Sequence, residues 1–67
     1  MNFAIRLKEL RTEKKLSQQK LSDQTGISSS TIARWELSQA EPNATAIVKL
    51  AKFFGVTTDY ILGVKDY

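Results

Sequence analysis

Stop and start signals for helices recur along this chain, and they set its architecture before anything else does. Gly26 is followed by Ser28, Pro42 by Asn43 and Gly55 by Thr57, and Gly63 stands near the end. Glycine tolerates the left-handed conformation that closes a helix, and Ser, Thr and Asn side chains accept from the free amides that open the next. Between these signals the apolar residues fall at helical spacing. Phe3, Leu7 and Leu10, with Ile5 one turn away, predict a first helix over about 3–14, capped by Asn2 and closed by Lys14 and Lys15 at its negative dipole end. Ser17 caps a second helix, 18–24, that turns Leu21 inward, although Lys20 stands where a capping box would carry an acid. Ser28 caps a third, 29–36, with Ile32 and Trp35 inward. Pro42 keeps 37–42 a loop. Asn43 opens a fourth, 44–54, on which Ile47, Leu50, Ala51 and Phe54 run i, i+3, i+4, i+7. Val56 is a buried connector, and Thr57 caps a fifth helix, 58–62, stopped by Gly63. No run alternates long enough for a strand. The expected fold is all-α, five short helices around one core.

The 67 residues suffice for a single domain, 1–67, with one modest core and no large enclosed pocket. There is no Cys and no His, which removes disulfides, thiolate nucleophiles, zinc-cysteine sites and the commonest general base. The carboxylates are scattered, with no nucleophile or phosphate-cradling Gly loop beside them, so no catalytic residue, cofactor or metal site is assigned and an enzyme is a poor reading. The net charge of +3 sits in the first half: residues 1–36 carry seven cations against four carboxylates, whereas 37–67 are balanced. That asymmetry suits a polyanionic partner, and a charge of this size alone fits a solvated charged surface equally well. No apolar stretch approaches the roughly 20 residues that cross a bilayer, so neither a signal peptide nor a membrane span is expected, and the cytoplasm is the expected location.

Residues 18–37 form a unit. A short helix ends, Gly26 turns the chain, and another helix starts two residues later. Two helices crossing steeply through a tight turn need a small side chain where their backbones approach, and Ser22 fits. Ile32 and Trp35 anchor the second of the pair from inside. Ser29, Ser30, Thr31 and Arg34 are left outside.

With these residues the chain resembles the phage repressor and Cro family, the lambda repressor-like helix-turn-helix proteins. The match runs through Arg6-Leu7-Lys8-Glu9-Leu10-Arg11, Leu16-Ser17-Gln18-Gln19-Lys20-Leu21-Ser22 and Gly26-Ile27-Ser28-Ser29-Ser30-Thr31-Ile32-Ala33-Arg34-Trp35-Glu36. Pro42, Leu50-Ala51, Gly55-Val56 and Asp59-Tyr60-Ile61-Leu62-Gly63 extend it over nearly the whole chain. The resemblance implies a compact five-helix domain, with the helix-turn-helix over about 18–36, that places its third helix in the major groove. It further implies a homodimer on a two-fold double-stranded DNA operator and a regulator of transcription, read here as a repressor. Arg11 and Glu36 match positions that form a structural ion pair between helices 1 and 3, so both are assigned to the fold.

The candidate DNA contacts are Gln18, Ser28, Ser29, Ser30, Thr31, Arg34, Ser38, Gln39 and Asn43. Ser28 is most simply a cap, in a place where a helix N-terminus also favours phosphate. Ser29 and Ser30 suit a first helical turn for capping alone, or hydrogen-bond to base edges, and Thr31 adds a methyl for thymine. Arg34, one turn beyond Ser30, has the fork that pairs with guanine O6 and N7; its plain alternative is a solvated cation. Gln18 matches a backbone-contacting position of the family. Trp35 is core. Lys14 and Lys15 add steering and salt sensitivity.

The loop after the third helix departs from the family. Relatives carry Gly and cations there, whereas this chain reads Leu37-Ser38-Gln39-Ala40-Glu41-Pro42. Ser38, Gln39 and Asn43 still offer hydrogen bonds to phosphate, but Glu41 repels it, so weaker nonspecific binding is expected. The competing reading is a protein-interaction or antitoxin-like helical module, with Tyr60, Tyr67, Val64 and Phe53 as its surface. Dimer contacts are expected at Tyr60, Ile61 and Val64.

Overall fold

Five helices form in the expected order: α1 (Phe3–Glu13), α2 (Gln18–Thr25), α3 (Ser29–Glu36), α4 (Ala44–Phe54) and α5 (Thr58–Ile61). The structure, a computed structural model, describes residues 2–65. Tyr67 therefore lies outside the described residues. Four of the five expected caps are made. Ser17 Oγ accepts from the Lys20 amide, Ser28 Oγ from Thr31, Asn43 Oδ1 from Ala46 and Thr57 Oγ1 from Tyr60. All four cap residues have extended backbones, which aim the side chain back at the first turn.

Asn2 is the exception. Its φ of −101° and ψ of 31° lie outside that region, and its side chain makes no cap bond. Another constraint acts on it. A Cβ at Gly63 would lie 2.8 Å from Asn2 Cβ and 2.9 Å from Asn2 N, so the chain after α5 packs directly onto the start of α1. Gly63 serves that close approach as well as its φ of +76°.

The helix ends shift by one residue. α1 ends at Glu13, α2 continues to Thr25 and α5 ends at Ile61. At α1 the closure has a clear cause: Lys15 takes φ +58°, its amide bonds Thr12 O at 2.9 Å, and the Leu16 amide bonds Arg11 O at 3.1 Å. These paired bonds satisfy carbonyls that the helix leaves open.

One apolar core joins all five helices. Phe3, Leu7 and Leu10 of α1 meet Leu21 of α2, Ile32 and Trp35 of α3, Ile47, Leu50, Ala51 and Phe54 of α4, and Ile61 of α5. The rings of Phe3 and Trp35 meet edge to face, 5.7 Å between centroids. Leu16, Ile27 and Val56 pack partly buried against this core. Ile5, expected on the apolar face, is instead 61% exposed. At 3.6 residues per turn it lies about 200° around the helix from Phe3, facing away from the core. Ile61, expected at a dimer contact, is wholly buried and has no surface to offer.

Candidate nucleic-acid interface

The α2–α3 turn is built from three adjacent residues. Gly26 takes φ +76° and its amide bonds Ser22 O at 2.8 Å. Before it, Thr25 is buried, and its hydroxyl donates to Leu21 O at 2.7 Å while accepting from the Ile27 amide at 3.3 Å. Ile27 then packs against the core. The turn is thus pinned at its exit from α2 and its approach to α3. Lys49 of α4 reaches over it, with Nζ 3.7 Å from where a Gly26 Cβ would stand.

The far ends of the same two helices are joined through Glu36. Arg11 Nε donates to Glu36 Oε2 at 2.7 Å and Arg11 Nη2 to Oε1 at 2.9 Å, a two-pronged pair with both side chains nearly out of water. Arg11 Nη1 donates to Leu16 O at 2.8 Å, and Gln18 Nε2 to Glu36 Oε1 at 3.2 Å. One carboxylate therefore binds the end of α1 and the start of α2 to the end of α3. The hydrogen bonds to Glu36 hold the Arg11 guanidinium above the ordinary arginine range; burial opposes this, and the carboxylate's charge adds to it.

On α3 the buried residues are Ile32 and Trp35. Ser30 and Arg34 are exposed on the outer side, while Ser29 and Thr31, expected outside as well, are half-buried along its flanks. The hydroxyls at the N-terminus of α3 gather. Ser28 Oγ lies 2.7 Å from Thr31 Oγ1 and 3.3 Å from Ser30 Oγ, besides accepting from the Thr31 amide at 3.2 Å. Each hydroxyl retains bonding capacity beyond these contacts.

The remaining candidates spread outward from this unit. Gln18 is half-buried and spends one amide proton on Glu36, leaving a second proton and its carbonyl oxygen. Ser38 and Gln39 are exposed directly after α3. Ser38 takes φ +58°, its amide bonds Trp35 O at 3.0 Å, and the Gln39 amide bonds Arg34 O at 2.8 Å. Asn43 is exposed, with its side-chain oxygen accepting from the Ala46 amide at 2.8 Å. Lys14, Lys15 and Lys20 are exposed cations.

Two residues were missed by the sequence reading. Thr25 lies just beyond the helix expected over 18–24, yet a Thr one turn after a core Leu and just before Gly is placed to back-bond its own helix. Leu37 was assigned to the loop, but it is 67% exposed at the cap of α3, with its amide bonded to Ala33 O. Of the surface expected of a protein-interaction module, Tyr60 and Phe53 are packed partly buried against the core, and Arg6 stacks on the Tyr60 ring at 4.3 Å. Val64 remains exposed.

The helix-turn-helix family model matches residues 7–61. The chain belongs to that family. This helix-turn-helix chain is similar to the HTH-type transcriptional activator BcrR of Enterococcus faecalis, 39% identical over 98% of this chain and 32% of that protein. It is similar to the SPbeta prophage-derived regulator YonR of Bacillus subtilis, 40% identical over 90% of the chain and 56% of that protein. It is also similar to Repressor protein C2 of Salmonella phage P22, 33% identical over 85% of the chain and 26% of that protein. The chain spans about a quarter to just over half the length of these relatives. No solved structure matches significantly. The family assignment makes this a helix-turn-helix domain of the transcriptional-regulator type. Among the described residues no helix is long and apolar enough to cross a membrane.

Proposed function

We propose that this domain, 1–67, reads double-stranded DNA by seating α3 in the major groove, and that it represses transcription from the operator it covers, in the cytoplasm. The observation that carries this reading is the two-sided character of α3. Ile32 and Trp35 are locked in the core, while Ser30 and Arg34 stand exposed on the opposite side of one short, well-anchored helix. The major groove admits a helix and displays a distinct pattern for every base pair.

In this reading Arg34 pairs with guanine O6 and N7. Ser29, Ser30 and Thr31 meet base edges and the adjoining backbone. Ser28 and Gln18 contact phosphate at the start of α3 and α2, and Ser38, Gln39 and Asn43 do so beyond its end. Two copies sit on a two-fold operator with their recognition helices about 34 Å apart, one DNA turn. Repression needs only occupancy of the operator, and it agrees with the P22 relative, a repressor by name, whereas the enterococcal relative is named an activator.

Selection of bound duplexes from a random pool tests the reading. A two-fold consensus containing guanine is expected. Arg34→Ala should weaken binding to it by roughly 5- to 150-fold, the worth of one bidentate pair, and relax the preference at that guanine. Equal affinity for all duplexes, or an unchanged guanine preference in Arg34→Ala, would overturn it.

A further inference from the structure

The outer face of α3 does not end at Arg34. Leu37 is the C-cap of α3: its own φ of −90° and ψ of 4° leave the helix, but its amide still bonds Ala33 O at 3.0 Å, so its side chain starts from a position in phase with the helix. Seven residues after Ser30, it lies within about 20° of the same line along the helix. That line points directly away from Ile32 and Trp35. Ala33 and Arg34 lie to either side of it, with Ala33 half-buried and Arg34 exposed. Leu37 is 67% exposed, more than any other large apolar side chain among the described residues. The centre line of the recognition face thus begins with a hydroxyl at Ser30, passes a guanidinium and a methyl, and ends with an isobutyl group.

From this arrangement we infer that Leu37, flanked by Ala33, reads the C5-methyl group of a thymine. The inference rests on the major-groove reading given above. From Ser30 to Leu37 the helix rises about 10 Å. This equals about three base-pair steps, at roughly 3.4 Å each. Ser30, Arg34 and Leu37 therefore address different base pairs along the groove instead of competing for one. The thymine methyl is the apolar feature of the major-groove edge, and aliphatic side chains are the groups that match it. An isobutyl group makes no hydrogen bond to phosphate, so at this place it has only bases and sugars to contact. The cap also holds it in place: Ser38 and Gln39 bond back to Trp35 and Arg34, which fixes the turn from which Leu37 projects.

The test is a cycle of two changes, one on each partner. The duplex selected by the unaltered chain is remade with each thymine in turn replaced by deoxyuridine, which removes only the methyl. One thymine per half-site should show about a fourfold loss of affinity, the worth of one buried methyl group. With Leu37→Ala, that loss should vanish at the same thymine, and reselection should relax the preference there while the guanine preference persists. Circular dichroism of Leu37→Ala should match the unaltered chain, since the side chain lies outside the core. A deoxyuridine loss that survives Leu37→Ala unchanged, or a duplex in which no thymine is sensitive, overturns the assignment of Leu37 and leaves the groove reading standing. A chain that selects no duplex at all overturns the groove reading and this inference with it.

Discussion

The chain enters and leaves α3 through turns of the same backbone type, built very differently. At the entry, the left-handed residue is Gly26, which adopts that conformation freely, and the buried Thr25 hydroxyl ties the end of α2 to the Ile27 amide. At the exit, the left-handed residue is Ser38, which carries a Cβ at φ +58°, and its neighbours Leu37 and Gln39 are exposed. The entry sets the angle between α2 and α3, and so where the outer face of α3 points. The exit does not set that angle; its bonds hold only the turn that carries Leu37, Ser38 and Gln39. Side chains that meet base edges need a rigid support, and at the entry the Thr25 hydroxyl supplies it.

The largest expected effect comes from unclasping the far ends of the entry pair. Glu36→Ala leaves the nearly buried Arg11 guanidinium without its carboxylate and frees Gln18, and should cost about 3 kcal/mol. For a domain of this size that lowers Tm by more than about 10 °C in thermal unfolding. The Arg11→Met, Glu36→Leu pair removes both charges together and should recover most of the loss. If Glu36→Ala melts within a degree of the unaltered chain, the clasp does not secure the entry. Arg11's own contribution is insensitive to pH near neutrality. A raised pKa means its stabilisation is fully present below the ordinary arginine range and is lost only as pH climbs through the folded value.

Thr25→Val comes next. It keeps the volume but removes a hydroxyl that serves two partners, leaving the Ile27 amide unsatisfied in a partly buried turn. The expected cost is about 1–3 kcal/mol by chemical denaturation. Faster hydrogen exchange at the Ile27 amide should accompany it. Unchanged exchange there would mean that the turn does not depend on this staple.

What could be read without coordinates follows from the range of each interaction. The caps at Ser17, Ser28, Asn43 and Thr57 act over three residues, so the local pattern contains everything needed to place them. Arg11 and Glu36 are 25 residues apart, and only the family resemblance pointed to their pairing. Nothing in the spacing announced that Gln18 would join them, because that contact depends on how α2 crosses α3. Ile5 and Ile61 were misjudged for a related reason. Apolarity shows that a side chain prefers burial, but helical phase and the packing of neighbours decide which side chain obtains it. Leu37 opens the segment that Pro42 marks as loop, and no local signal shows that its amide still bonds Ala33 O.

The smallest effects compare the two left-handed positions directly. Gly26→Ala places a Cβ at φ +76° and should cost about 1–2 kcal/mol, the usual penalty for that conformation in an L-residue. Ser38→Gly removes the same penalty at the exit, offset by the greater freedom glycine has when unfolded, and should stabilise the fold by about 0.5 kcal/mol. The pair of melting curves should therefore move in opposite directions, with the larger shift at Gly26. In a binding assay the contrast should widen. Gly26→Ala disturbs the angle at which α3 is presented and should weaken specific binding beyond its effect on folding, whereas Ser38→Gly removes one hydroxyl from the proposed phosphate contacts and should cost less, at most about fivefold in affinity, corresponding to roughly 1 kcal/mol, with base preference unchanged. Equal losses of affinity from the two changes would mean that the exit turn positions the helix as much as the entry does.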